Sequence, residues 1–383
     1  MPAGVYLHIP FCKSRCSYCD FATDVYKNSA TVDRYVAALC RELCSVALRN
    51  PPADAGGSDL RRDVDTIYFG GGTPSLLSPE QVERILNTVH SKFSVEKNAE
   101  VTMEMNPATV TLESLRDYKS LGVNRASFGV QTFDDTELKR LARGHNAEDA
   151  RKTFRLLREA GFGNISFDLI AGLPRQTLAD WERNLNEALA LEPEHLSLYL
   201  LEIHEGTPLA TQVRDGRQPV PDENLAAEMY ELMLDKVTAA GYEQYEISNF
   251  AKPGFESSHN TKYWQLEPVY GYGVSAHSFD GYQRYANERD TAKYVERIEE
   301  FANAEVMRER IDAASEFVFL GLRLNQGIDL TEYKGRFGIN LLEKYCIELR
   351  ELQEAGLIGI AGTNFRLTRK GMLFSNEVFR VFI

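Results

Sequence analysis

Six short apolar runs, each followed by a segment of helical period, fill the first two thirds of the chain, and no other feature limits its fold as strongly. The runs are VYLHI (Val5 to Ile9), DTIYFG (Asp65 to Gly70), EVTMEM (Glu100 to Met105), RASFGV (Arg125 to Val130), ISFDLIAG (Ile165 to Gly172) and HLSLYLL (His195 to Leu201). Between and after them, Val32 to Arg49, Pro79 to Phe93, Leu112 to Leu121, Ala147 to Ala160, Leu178 to Leu191 and Leu225 to Ala240 carry apolar residues three and four apart. Ser78 ahead of Pro79 and Glu80 has the order of an N-cap, a first helical position and a first-turn acid, and Thr177 to Asp180 resembles a capping box. Strand and helix units in series bury their apolar surface as a parallel sheet with helices on the outside, and connections this short predict an open or partial barrel.

In such a sheet the loops after the C-terminal strand ends converge on one mouth. Cys12, Cys16 and Cys19 follow the first strand, and GGGTPS (Gly70 to Ser75) follows the second. Glu104 and Asn106 end the third, Gln131 ends the fourth, and AGLPRQT (Ala171 to Thr177) follows the fifth. A structural zinc site needs four closed ligands, whereas the cysteines number three and the nearest other ligand, His8, lies within the first strand. Thiolates are the usual ligands of iron–sulfur clusters, and a [4Fe-4S] cube held by three of them keeps one iron open. S-adenosylmethionine can chelate that iron through its amino and carboxylate groups; an electron from the cluster then cleaves its carbon–sulfur bond to a 5'-deoxyadenosyl radical. Tyr18, beside the third cysteine, offers a flat face for the adenine. Cys40, Cys44 and Cys346 lie in helix-period segments and read as small apolar residues.

A formal charge of -13 and a pI near 5.2 argue against nucleic acid or an anionic membrane as a partner held by a diffuse basic surface. No run approaches the roughly 20 apolar residues of a membrane span, and no secretory leader is visible, so a cytoplasmic location is expected. Three regions are expected: residues 1–240 as the barrel, 241–312 as a connecting region, and 313–383 as a smaller winged-helix-like α+β domain. The tract GFESSHNTKYWQLEPVYGYGVSAHSF (Gly254 to Phe279) has no clear period and is expected to cross the barrel mouth as a lid. The last region reads as three helices, a hairpin around Gly362 and a short helix. From Glu316 onward nine basic residues face eight acidic ones, which leaves it without the basic stripe of a DNA-binding module.

The cysteine spacing in this frame resembles the radical S-adenosylmethionine superfamily, whose signature is C-x3-C-x2-C and whose fold is a partial (β/α)6 barrel. GGGTP is similar to that family's glycine segment, which meets the methionine amino group. Within the superfamily, YLHIPFCKSRCSYCDF, GGGTPSLL, FGVQTFDD, LARGHN and DLIAGLPRQT resemble the oxygen-independent coproporphyrinogen dehydrogenase group along nearly the whole chain. This likeness implies S-adenosylmethionine contacts from Tyr6, Gly72, Thr73, Glu104, Gln131, Arg143 and Asp168. Glu104 would receive the amino group, Arg143 the carboxylate, and Gln131 and Asp168 the ribose hydroxyls.

Two departures point to a sister branch. Asp20 and Phe21 stand where the dehydrogenases carry a further cysteine, and Tyr6 lies almost at the start where they have a long arm. The HemW-type heme chaperones are similar to this chain in both respects and carry an H-N-x-x-Y-W motif, here His259, Asn260, Tyr263 and Trp264. The resemblance implies a protein that binds heme and passes it to acceptor hemoproteins, including those of the respiratory chain, with the cluster and S-adenosylmethionine in a structural or gating role. His259 is the expected heme ligand and His277 its rival, with Tyr263 and Trp264 giving the macrocycle a flat surface. The alternative is a radical enzyme for oxidative decarboxylation of coproporphyrinogen III. Peripheral membrane contact and a homodimer stay open.

Overall fold

The computed structural model describes residues 1–49 and 61–383. Six parallel strands lie side by side in chain order: β1 (Ala3–Ile9), β2 (Arg62–Gly71), β3 (Phe93–Met105), β4 (Arg125–Gln131), β5 (Ile165–Ala171) and β6 (His195–Leu200). Each apolar run of the sequence lies within or across one of them. The helices of this part are α1 (Ser29–Arg49), α2 (Pro79–Lys92), α3 (Leu112–Ser120), α4 (Asp135–Arg140), α5 (Ala147–Glu159), α6 (Leu178–Ala190), α7 (Pro208–Arg214) and α8 (Glu223–Ala239). Ser78 caps α2 and Thr177 caps α6, each in a reciprocal capping box with the residue three positions on.

Alternation along the strands decides which face meets the helices. Leu7, Phe69, Met103, Phe128, Phe167 and Leu198 are fully or almost fully buried and share one core with the helices, each contributing roughly 1.5–3 kcal/mol by leaving water. Their neighbours Tyr6, Tyr68, Glu104, Ser127, Asp168 and Ser197 point to the opposite, inner face. The inner face is therefore polar by construction.

The sheet continues beyond β6. β7 (Glu243–Glu246) and β8 (Asn249–Ala251) join that edge antiparallel, while β9 (Val269–Tyr272) pairs with β1 in parallel. β10 (His277–Phe279), β11 (Gln283–Asn287) and β12 (Glu305–Arg310) follow antiparallel. The order β12-β11-β10-β9-β1-β2-β3-β4-β5-β6-β8-β7 is linear, so the barrel is open.

The tract from Gly254 to Phe279 is not the lid expected from its composition. Its helix α9 (Ser258–Trp264) lies against the inner face, with its first turn at the N-terminal end of the strands. There the Ser258 and His259 amides donate to the Glu100 carboxylate at 3.1 and 3.0 Å. The remainder of the tract builds β9 and β10. Its mixed polar and aromatic character fits a helix packed on a polar surface, where neither face can be purely apolar.

The C-terminal region is a winged-helix-like α+β unit. After α10 (Thr291–Phe301), which joins β11 to β12, α11 (Ala313–Gly321) and three further helices precede the hairpin β13 (Ile358–Ala361) and β14 (Asn364–Leu367), and Ile328–Asp329 completes a three-stranded sheet on β14. Among the described residues no helix is long and apolar enough to cross a membrane.

Candidate functional site

The chain leaving β1 is fixed by the loop leaving β2. The Gly72 amide donates to the Ile9 carbonyl and the Thr73 amide to the Phe11 carbonyl, both at 2.8 Å. Gly72 is required there, because a side chain would lie 2.7–2.8 Å from backbone atoms of Ile9, Pro10 and Phe11. Gly71 has φ +106° and faces the His8 ring. Packing of one loop on the other thus explains the glycines without any ligand. A short parallel pairing of Phe11–Cys12 with Asp24–Val25 closes the base of the loop that carries Cys16 and Cys19.

Side chains from the segments after β2, β3 and α4 then tie two of the cysteines together. Thr73 donates from Oγ1 to Cys12 Sγ at 3.6 Å, and Asn106 donates from Nδ2 to Thr73 Oγ1 at 2.7 Å. Asn106 Oδ1 accepts from Arg143 at 2.8 Å, and the other Arg143 terminal nitrogen meets Cys16 Sγ at 3.5 Å and the Tyr18 hydroxyl at 3.4 Å. Arg143 also donates to the Gly129 carbonyl at 2.6 Å, while its buried Nε has no partner. Asn106, which ends β3 and joins this path, was not among the contacts implied by sequence resemblance.

The remaining expected contacts gather at the same mouth. Glu104 accepts from the Tyr68 hydroxyl at 2.8 Å and from the Gly71 amide at 3.0 Å. Burial, with repulsion from Asp168 adding, pushes its carboxyl up to about 7. Burial likewise raises Asp168, against the hydrogen bonds of Ser197 and Ser127. Gln131 takes φ +68° where the β4–β5 register slips, and its side chain folds over Gly129, whose missing Cβ leaves it room. Strained backbone of this kind collects where a side chain must be re-aimed. Tyr18 packs with Leu141, Ile170, Leu173 and Leu201 in a small apolar patch separate from the main core. Tyr6 bonds its hydroxyl to His8 Nδ1 at 3.1 Å and stacks on Tyr68 with ring centres 6.1 Å apart.

The donor set fits an iron–sulfur cluster. Cys12, Cys16 and Cys19 are free, partly exposed thiols. Burial raises Cys12 and lifts Cys19 to about 11, so the thiolates need nearby positive charge, which Arg143 supplies in part and iron would complete. Among the described residues no three Cys, His, Asp or Glu side chains converge as a single ion demands. A cube places its three protein thiolates on three separate irons, so convergence on one point is not what it requires.

Family models match two parts of the chain. The Radical SAM superfamily matches residues 6–188 and the HemN C-terminal domain matches residues 309–374. The heme chaperone HemW of Bacillus subtilis (strain 168) is 39% identical over 99% of this chain and 99% of its own. The HemW of Escherichia coli (strain K12) is 34% identical over 100% of this chain and 98% of its own. The chain belongs to the HemW family of radical S-adenosylmethionine proteins. Among solved structures, coproporphyrinogen III oxidase (HemN) from Escherichia coli, described as a radical SAM enzyme, superposes with a TM-score of 0.85 at 26% identity, covering 100% of this chain and 90% of that one.

The HemW resemblance implied His259 as heme ligand, and here the structure separates what the sequence grouped. His259 is 1% exposed, meets Thr66 Oγ1 through Nδ1 at 2.9 Å and the Tyr263 hydroxyl through Nε2 at 3.1 Å, and stacks on Tyr68 at 5.0 Å. Both ring nitrogens are engaged, and burial with the charge of Lys262 brings its pKa down to about 3. Trp264 of the same motif lies under the Arg323 guanidinium at 4.3 Å, facing the C-terminal unit. The inner face also holds Arg125, 1% exposed, and His195, fully buried. Polar residues at alternate positions of apolar runs were the sequence signal for both.

Proposed function

We propose that the chain is a heme chaperone that carries a [4Fe-4S] cluster on Cys12, Cys16 and Cys19 with S-adenosylmethionine at the barrel mouth, and delivers heme to acceptor hemoproteins, those of the respiratory chain included. The full-length similarity to HemW heme chaperones carries this reading. The hydrogen-bonded path from Cys12 through Thr73, Asn106 and Arg143 to Cys16 supports it, because it fixes two thiolates in advance of the cluster.

At that mouth each residue has a task. When bound, the cluster supplies an open iron and one electron. Arg143 holds Cys16 and Tyr18 in place, and its guanidinium, whose Nε is unpartnered, would receive a carboxylate. Glu104 accepts an ammonium, which offsets the burial that raises its pKa. Gln131 and Asp168 would accept ribose hydroxyls, Tyr6 stands stacked on Tyr68 next to Glu104, and Gly72 and Thr73 fix the loop that carries Cys12. Tyr18 and its apolar patch cover the adenine.

The likeness to HemN favours a second reading, decarboxylation of coproporphyrinogen III. Anaerobic protein with a full cluster separates the two. Given hemin and then an apo-hemoprotein, it is expected to pass heme on, read as movement of the Soret band to the acceptor. Given coproporphyrinogen III, dithionite and S-adenosylmethionine, it is expected to form no protoporphyrinogen IX; robust product formation would replace the chaperone reading with the enzyme.

A further inference from the structure

An open cavity of about 390 Å³ lies beside the cluster loop, between β1 and the edge formed by β9 and β10. Tyr6, His8, Phe21, Tyr263, His277 and Arg289 line it. Its volume is in the range of small-molecule sites, roughly 300–1,000 Å³.

Three imidazoles stand at or behind this cavity, and their bonding differs. His8 meets Tyr6 through Nδ1 at 3.1 Å and the Ala22 carbonyl through Nε2 at 2.9 Å. His259 does not line the cavity; it stands behind Tyr263, bonded at both nitrogens. His277 is exposed, and neither of its ring nitrogens has a hydrogen-bond partner among the described residues. Burial, then the charges of Arg284 and Arg289, hold its pKa below the usual value, so its lone pair is available at neutral pH.

The surroundings suit a flat, apolar, anionic ligand. Phe21 is 63% exposed at the rim and offers an apolar face. The Arg289 side chain makes one hydrogen bond, to the Asp20 carbonyl at 2.9 Å, and forms no ion pair among the described residues. Asp20 is the only acid among the described lining residues. The turn leading into β10 is fixed before any ligand arrives: the Gly273 amide donates to buried Glu42 and the Ser275 amide to the Glu288 carbonyl, both at 2.8 Å.

We propose that His277 is the axial ligand of the cargo heme and that Arg289 receives one of its propionates. This inference rests on the chaperone reading and replaces His259 as the iron ligand. Hemin is titrated anaerobically into cluster-loaded wild type, His277→Gly, Arg289→Ala and His259→Gln, with the Soret band and iron content read together. His277→Gly is expected to shift the band and weaken binding on the order of tenfold or more, the scale on which metal sites respond to lost support. Added imidazole should restore the band in that variant, which a merely structural role for His277 would not allow. Arg289→Ala should weaken binding and leave the band in place. An unchanged band and affinity in His277→Gly overturns the inference while the chaperone reading stands. A wild type that captures no hemin overturns that reading and this inference with it.

Discussion

Arg143 and Cys16 lie 127 residues apart in the sequence and 3.5 Å apart in the fold, guanidinium nitrogen to sulfur. The contact places a buried positive charge against one of the three thiols, the surroundings that favour a thiolate over a thiol. Because the same side chain holds Asn106 and, through Thr73, reaches Cys12, one arginine orders two corners of the cluster loop.

Asn106 is the link that can be cut with least damage. Asn106→Ala leaves Thr73 and Arg143 each short of one partner, a cost of about 1–3 kcal/mol for unmet buried groups. The variant is expected to fold and to lose cluster faster than wild type on exposure to oxygen or chelator. Equal loss rates, followed by visible absorbance, would show that the path has no role in holding the cluster.

The cysteines themselves give a sharper division. Protein reconstituted without oxygen is expected to hold about four irons per chain, as a cubic cluster requires. Replacing Cys12, Cys16 and Cys19 together should abolish both iron and the visible iron–sulfur absorbance. Cys40 is buried in α1 beside the Arg84 carbonyl, and Cys346 lies exposed on a C-terminal helix. Replacing either should leave iron content as it was. A triple variant that still carries a full cluster would show that the ligands lie elsewhere.

What the sequence disclosed follows the range of the forces involved. The six runs and their helices were legible because strand and helix periods are local, and Ser78 and Thr177 were legible because a capping box spans three residues. The meeting of Asn106 with Arg143 was not, since it depends on strand register and on the bulge at Gln131. The placement of the HNxxYW stretch was not legible, because one motif joins residues that face different ways: His259 toward Thr66, Trp264 toward Arg323. Short edge strands such as Glu243–Glu246 gave no period to read.

Buried histidines set the acid limit of the fold. Burial, with Arg143 adding, brings His145 down to about 4, and burial with Arg125 brings His195 well below its usual value. In the unfolded chain both titrate near 6.5. As pH falls below about 6.5 the unfolded chain binds protons that the folded one refuses, so each histidine removes stability at up to about 1.4 kcal/mol per pH unit. For His145 this continues to about pH 4. Glu42 and Glu104, raised to about 7, act in the opposite sense and are common to wild type and variant. His195→Gln, whose amide can still reach Ser166 and Tyr245, is therefore expected to flatten the acid side of a stability–pH curve; the same slope in both proteins would exclude His195 as a source of acid lability.

Arg323 joins the C-terminal unit to the barrel. Arg323, just beyond α11, lies 4.3 Å over the Trp264 ring and 3.8 Å from Glu246 Oε2, an oxygen that is buried and has no hydrogen-bond partner. The other Glu246 oxygen accepts from the Ser248 amide at 2.9 Å and from Asn249, so the carboxylate is anchored and cannot turn away. Arg323→Ala strands that charge, and an uncompensated buried carboxylate costs about 3 kcal/mol or more, which exceeds the roughly 0.5–2 kcal/mol of the lost cation–π contact. The single variant is expected to lower the thermal midpoint. Adding Glu246→Gln should recover part of the loss, because the stranded charge goes with it, and Arg323→Lys should fall between, keeping charge while losing the planar stack. If the double variant is no more stable than Arg323→Ala alone, packing on Trp264 rather than the buried carboxylate sets the strength of this junction.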